Sequence, residues 1–399
     1  MQKSLPILLS LASSAFAAQN QSCAPTQPTC YSTGECNCQY CLGPVKILGN
    51  APCRPKTCNG DWMITVAGFY WGAHQDGMEY AIDNHIANPG PSGSVTDQTI
   101  QQLNNLIDAD YKTPDFKWDW GFKVGVGYNT TCDGWDFGVM WTWYRGKADG
   151  QVETETDDNH TLIPLWSAFA SSLGNVDFTT DIQHHWKFKL SLIDIELGRE
   201  FWTSKYLCVR PHIGLRIAYL DQNFEIQHKG GSWSEHGAQG ALNNEVDLDN
   251  DFKGVGVRTG FDTNWHFRCG WAVYGNLATS IVYGRFNIDH DEENRQATAP
   301  HSKIKVLETK ESFRASRAMV DLALGVQWSG MICACQYGLT IMFGWEQHLF
   351  FHQNQLWRVV RIGDSSDSIP PNNQGENVYH QRRGTLDTEG WTLRVKFEF

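Results

Sequence analysis

Twelve cysteines are the residues of this chain best suited to do chemistry. Seven of them, Cys23, Cys30, Cys36, Cys38, Cys41, Cys53 and Cys58, crowd a leader broken by Pro25, Pro28, Pro44, Pro52 and Pro55. The other five, Cys132, Cys208, Cys269, Cys333 and Cys335, are spread over the rest. In an exported chain such a set oxidises to disulfides, and an even number permits complete internal pairing without fixing which thiol meets which. Zinc is the competing chemistry. Cys36-Asn-Cys38-Gln-Tyr-Cys41 is too crowded for paired zinc knuckles and has no histidine nearby, so no metal is expected. The reach of the leader and the crowding of these three thiols point to bridges with neighbouring envelope proteins. Purely intramolecular staples are the plainer alternative.

The remaining candidates are weaker. His184-His185 could ligate a metal but reads better as a rim position. Asp247-Leu-Asp-Asn-Asp251 begins like a calcium loop, yet Phe252 stands where the glycine belongs and Arg258 where the closing glutamate belongs. No G-x-S-x-G, H-E-x-x-H or phosphate loop is present, so no catalytic residue, cofactor or enzyme activity is expected. The net charge of −12 argues against nucleic acid as a partner.

Disulfides need an oxidising compartment, and the first 18 residues offer a route to one. Lys3, an apolar stretch from Leu5 to Leu11, and Ala15-Phe16-Ala17 read as a cleavable signal peptide. The expected organisation is residues 1–18 as signal peptide, 19–60 as a Cys/Pro-rich periplasmic extension, and 61–399 as the body. Nothing approaches the ~18 consecutive apolar residues of a membrane helix, and mean hydropathy is −0.41. Aromatic residues nevertheless make up 13% of the chain, with 17 Trp, more than a soluble core usually needs. Interfacial girdles around a barrel would absorb that excess.

The elements behind the cysteines are strands. Trp391, Leu393, Val395, Phe397 and Phe399 share one face, opposite Thr392, Arg394, Lys396 and Glu398. That pattern suits a terminal transmembrane strand recognised by barrel-insertion machinery; a half-buried strand of a soluble sheet is the rival. Ten such segments are expected: Trp62–Trp71, Phe116–Tyr128, Trp135–Arg145, Trp186–Leu197, Leu207–Phe224, Phe252–Trp265, Trp271–Phe286, Arg314–Trp328, Gln336–Leu349 and Trp391–Phe399. In the fourth, apolar parity switches between Leu192 and Ile193, which predicts a bulge. Short connections (Asn129–Gly134, Gly198–Tyr206, His266–Gly270, Ser329–Cys335) alternate with long polar ones. The long ones are Gly72–Asp115, Gly146–His185, Glu225–Asp251, Asn287–Phe313 and Phe350–Gly390.

The predicted fold is therefore all-β. It is a single transmembrane antiparallel barrel of about ten strands in outer-membrane lipid, with short periplasmic turns and long external loops. Twelve strands is the alternative if segments such as Ile304–Thr309 pair. The five later cysteines all fall in or beside short turns, on the side of the leader. Ile100, Leu103, Leu106 and Ile107 have helical spacing, and Leu162-Ile-Pro-Leu-Trp166 is an apolar island; either could fold into the barrel mouth.

If apolar parity faces lipid, then Lys117, Asp119, Lys123, Asp136, Arg210, His212, Arg216, Arg258, Asp262, Asp321, Arg394, Lys396 and Glu398 line the lumen. Basic groups outnumber acidic ones in that set, which predicts a bias toward anions. The alternative is that these charges pair and fill a narrow bore.

Several stretches carry a resemblance to a known family. They are Arg54-Pro-Lys-Thr-Cys-Asn-Gly-Asp-Trp62, Gly68-Phe-Tyr-Trp71, Phe122-Lys-Val-Gly-Val-Gly-Tyr128, Asp133-Gly-Trp135, Trp141-Thr-Trp-Tyr-Arg145 and Leu197-Gly-Arg-Glu-Phe-Trp202. The chain resembles the major outer membrane protein-like family of environmental chlamydiae, grouped with the Legionella major outer membrane protein. The resemblance implies a bacterial outer-membrane barrel with porin activity, which passes small hydrophilic solutes and forms homo-oligomers. It also implies a place in a disulfide-linked envelope. A surface adhesin acting through the long loops and a purely structural scaffold are the rival roles.

Overall fold

The computed structural model describes residues 53, 61–85, 106, 108–130, 133–154, 160–167, 178–231, 241–268, 270–332, 337–362 and 376–399. Ten strands form its body: β1 (Asp61–Gln75), β2 (Trp118–Asn129), β3 (Trp135–Glu153), β4 (Asp181–Arg199), β5 (Leu207–Lys229), β6 (Ala241–Arg268), β7 (Trp271–Gln296), β8 (Lys303–Ile332), β9 (Tyr337–Asn354) and β10 (Gly384–Glu398). Each strand pairs antiparallel with its sequence neighbours, and β10 returns to β1 in register from Met63–Glu398 to Gln75–Leu386. The barrel is closed, so no ladder edge is left to lipid. The first strand meets the end of the last: Trp62 N donates to Phe399 O at 2.8 Å, and Phe399 N donates to Trp62 O at 3.0 Å.

The predicted strands all recur, and the long-loop side is more regular than expected. β6, β7 and β8 run 28, 26 and 30 residues, so the polar stretches 225–251 and 287–313 are mostly ladder. Ile304–Thr309 belongs to β8, where it pairs with β7 from Asn294 to His290, and the twelve-strand alternative is set aside. Cross-strand ion pairs such as Lys305–Asp291 (3.0 Å) hold this extension in water, where an apolar face is not required. At the other end the turns are tight. Thr130 N donates to Trp135 O at 2.8 Å across the turn between β2 and β3, and Asp133 and Gly134 take φ of 57° and 72° there.

The predicted bulge is absent. β4 keeps an unbroken register against β3 from Asp181 to Arg199 and against β5 from Asp181 to Gly198. The parity switch has another cause. Even-numbered residues face inward along the strand, and Trp186, Phe188, Leu190 and Leu192 are apolar because they enter an interior core. Lys187 and Lys189 point outward above the apolar belt, and Ile193, Ile195 and Leu197 point outward within it.

That belt is complete around the wall. On β7, Trp271, Val273, Leu277, Ile281 and Tyr283 are all exposed; β6, β8, β9 and β10 likewise expose Val255, Leu324, Phe343 and Leu393. Between Trp271 and Tyr283 a tilted strand rises about 30 Å, the thickness of a bilayer's hydrocarbon core. Trp62, Trp135, Trp265 and Trp271 mark the short-turn rim; Tyr70, Trp120, Tyr219 and Tyr283 mark the other. Above it the connections add two small sheets: Ala81–Asn84 between Asp110–Lys112 and Thr161–Pro164, and a hairpin of Trp357–Ile362 with Glu376–Gln381. Of the predicted loop helix, Ile100, Leu103 and Ile107 lie outside the described residues, and Leu106 is exposed.

Candidate functional site

The interior is divided into two layers by residue type. In the short-turn half, strand alternation delivers ionisable side chains to a chamber of about 250 Å³. One wall is an arginine cluster. Arg210 reaches Asp136 at 2.6 Å and Asp262 at 2.7 Å; Arg216 reaches Asp194 at 2.6 Å and Asp321 at 2.8 Å. Arg258 donates to Glu196 at 2.9 Å and pairs with Asp321. His212 sits buried between Glu196 and Asp262, at 3.8 and 4.0 Å. On the opposite wall Lys123 (2.5 Å) and Arg394 (2.9 Å) share the buried carboxylate of Glu346, while Lys396 lies 3.3 Å from Glu398. His348 ties the walls together through Asp321 at 2.7 Å and Glu346 at 3.6 Å.

The structure thus places Lys123, Arg210, His212, Arg216, Arg258, Asp262, Arg394, Lys396 and Glu398 inside the barrel. Lys117 is a correction: it precedes β2 at the outer rim, exposed and paired with Asp149 at 3.4 Å. Asp119 points inward above the chamber, with Oδ2 buried. The expected basic excess does not hold either. Asp194, Glu196 and Glu346 join Asp136, Asp262, Asp321 and Glu398, so that, with Glu200 at the floor, eight carboxylates face six basic side chains. The first two were missed because they sit in the one strand whose apolar parity switches. Glu346 follows directly on Trp345, where the unbroken apolar alternation of its segment ends.

The long-loop half is filled by aromatic rings. Phe69 and Trp71 stack at 3.6 Å between centroids, Tyr144 lies 5.9 Å from Trp71, and Trp186, Phe188, Phe252 and Phe286 continue the layer. Gly121 is required here, because a Cβ would collide with the Phe69 ring. The layer rests directly on the chamber: Lys123 Nζ lies 4.8 Å from the Trp71 ring centroid, and Trp71 Nε1 donates to Thr392 Oγ1 at 3.1 Å. Two connections close it from above. Met78, Tyr80 and Ile82 come from one, and Leu162, Leu165 and Trp166 from the other, all buried. The apolar island read from the sequence therefore docks in the mouth. Polar latches hold this lid: Trp166 Nε1 to Glu79 O (2.8 Å), Ser167 Oγ to Glu292 (2.5 Å), and Arg382 to Glu79.

Neutral histidines pack around the lid. Burial lowers His184, His228 and His290 each to about 4 from an ordinary 6.5, and raises Tyr80 to about 12. His184 stacks 4.2 Å from Tyr80, and His228 bonds Asn244 at 2.8 Å. The unfolded or opened state binds these protons more readily. The histidine contribution to lid stability is therefore complete above about pH 6.5 and lost as pH falls toward about 4. Limited proteolysis of folded protein should show lid cleavage increasing across that window; cleavage independent of pH would contradict it.

At the short-turn end Cys53 is disulfide-bonded to Cys208, the second residue of β5. Cys53 N donates to Glu200 O at 3.1 Å, and Glu200 Oε1 lies 3.3 Å from Cys208 Sγ. If reduced, the two thiols and Glu200 would offer three ligand atoms to a metal. The bond staples the leader to the barrel floor. The other ten cysteines lie outside the described residues. Cys208→Ser should free residues preceding Asp61 for proteolysis and cost about 2–4 kcal/mol, with the barrel still folded. An unchanged digestion pattern would contradict the staple.

The family model of the Legionella pneumophila major outer membrane protein precursor matches residues 51–399. No curated protein matches the chain. Among solved structures, the chain is similar to the outer membrane protease OmpT from Escherichia coli, at 9% identity over 89% of this chain and 99% of that one, with a TM-score of 0.33. It is also similar to a TodX monoaromatic hydrocarbon channel mutant, at 8% identity, 85% and 90% coverage and a TM-score of 0.29. A Pseudomonas aeruginosa FadL homologue follows, at 7% identity, 91% and 96% coverage and a TM-score of 0.23.

Proposed function

The chain belongs to the Legionella pneumophila major outer membrane protein family, and from that premise we propose that this bacterial outer-membrane barrel passes small hydrophilic solutes through a bore that its lid can close. The observation that carries the proposal is the ionic chamber. The same chain fills the other half of its interior with aromatic rings, so a solid barrel was within its means. Buried ion pairs give little or no stability over well-packed apolar residues, and ionisable groups at membrane depth mark paths for ions and polar solutes. The aromatic layer then acts as a constriction, and conduction requires the lid to leave the mouth.

With carboxylates slightly in excess, the open bore should not favour anions. Reversal potentials of refolded protein in a salt gradient test this, and a clear anion preference would contradict the chamber as the path.

A scaffold role has its own supporting observation, the Cys53–Cys208 staple. It fixes the root of a thiol-rich leader beneath the barrel, on what we read as the periplasmic side, leaving ten further cysteines for internal pairing or for bridges to other envelope proteins or a second copy. Non-reducing gels of alkylated envelopes separate these outcomes: a ladder that collapses on reduction supports bridging, and monomer under both conditions refutes it.

A further inference from the structure

Four arginines gather at the long-loop rim. Arg358 lies in the rim hairpin opposite His380, and Arg382 and Arg383 occupy the link from that hairpin into β10. Arg317, on β8, lies beneath, its guanidinium 4.9 Å from the Phe286 ring centroid. Arg383 is within electrostatic reach of Arg317, and Arg382 of Arg358. The link borders a pocket of about 560 Å³ whose walls include Glu79, Thr113, Gln381, Arg382 and Arg383.

Two carboxylates stand close by. Glu79 pairs with Arg382; Asp76 lies 3.4 Å from His74 and accepts from Thr385 N. Arg383 directs Nε and Nη2 at the neutral amide oxygen of Gln381, at 3.1 and 3.0 Å. Among the described residues Arg317, Arg358 and Arg383 have no ion pair. The Nε atoms of Arg317 and Arg358 are buried without a hydrogen-bond partner. Burial and the neighbouring Arg382 also push Arg358 below the usual guanidinium range. On a chain of net charge −12, a knot of mutually repelling cations with unused forked donors fits an anion.

We propose that this rim binds a phosphate- or sulfate-bearing group, gripped by Arg382 and Arg383 at the pocket, with Arg358 in the adjoining hairpin and Arg317 beneath. The bound group is either a free solute collected at the mouth or the phosphate of an outer-leaflet lipid; the recognition chemistry is the same. The test is calorimetric titration of the full refolded chain in neutral detergent with inorganic phosphate and pyrophosphate at low ionic strength. Saturable binding is expected, about tenfold weaker in Arg358→Gln with Arg383→Gln and weakened again by about 0.5 M salt. Heat-modifiable migration should be unchanged in that variant. Repeating the titration in vesicles of phosphorylated and of dephosphorylated lipid A identifies the source. Binding lost only beside phosphorylated lipid assigns the rim to lipid, and binding kept in both assigns it to a solute. No saturable binding, or equal affinity in the variant, overturns the proposal.

Discussion

Replacing Glu346 with glutamine should be among the most damaging single changes in the barrel wall. One buried carboxylate answers both Lys123 and Arg394 and lies 3.6 Å from His348. Its loss leaves two cations facing each other in a closed interior. Removing one member of a buried pair typically costs about 3–5 kcal/mol, because the remaining charge stays uncompensated. Urea titration of the folded band should show that loss, and Lys123→Gln added to it should recover a large part. If Glu346→Gln unfolds at the wild-type midpoint, the chamber is wetter and less coupled than its geometry indicates.

Trp166→Ala should open the mouth. This ring is fully buried under the lid, meets Phe224 edge-on at 6.4 Å and donates to Glu79 O, so it anchors one connection to the other. Truncating a buried Trp typically costs about 3–5 kcal/mol, and here most of the loss falls on the lid rather than on the ten-strand ladder. Single-channel recordings should show openings several-fold more frequent than in wild type, with the folded band retained. Tyr144→Phe is the milder companion, removing only the hydroxyl that donates to Trp71 O at 2.9 Å. Unchanged openings in Trp166→Ala would mean that the lid does not limit passage.

The wall of this barrel was legible because lipid imposes a strict rule. Every outward position from Trp391 to Phe399 is apolar, and the ten segments so patterned are the ten strands found. The interior obeys no single rule, and sequence reasoning failed there. On β4 the inward face is charged at Asp194 and Glu196 and aromatic at Trp186 and Phe188, so one strand presents two parities and mimics a bulge. The basic excess followed from the same blindness, since the missed carboxylates lie at that switch and at Glu346. Lys117 was misplaced because its segment was taken to be strand two residues too early; its partner Asp149 sits on the outer rim. The polar extensions of β6 to β8 read as loops because their outer face stands in water and their inner face mixes Val246, Leu248 and Ile288 with buried Asn244, His290 and Glu292. The Cys53–Cys208 bond depends on spatial neighbours 155 residues apart in the chain, which spacing does not reveal.

Single-channel conductance across a planar bilayer, recorded on refolded wild type, Trp166→Ala and Glu346→Gln, tests the central claim most directly. Small, infrequent steps without anion preference are expected in wild type. More frequent steps are expected when the lid is loosened, and a reversal potential moved toward anions when the chamber loses Glu346. Electrical silence in all three proteins, each still migrating as a folded barrel, would contradict a solute path through the chamber and leave the surface adhesin and the envelope scaffold as the rival functions.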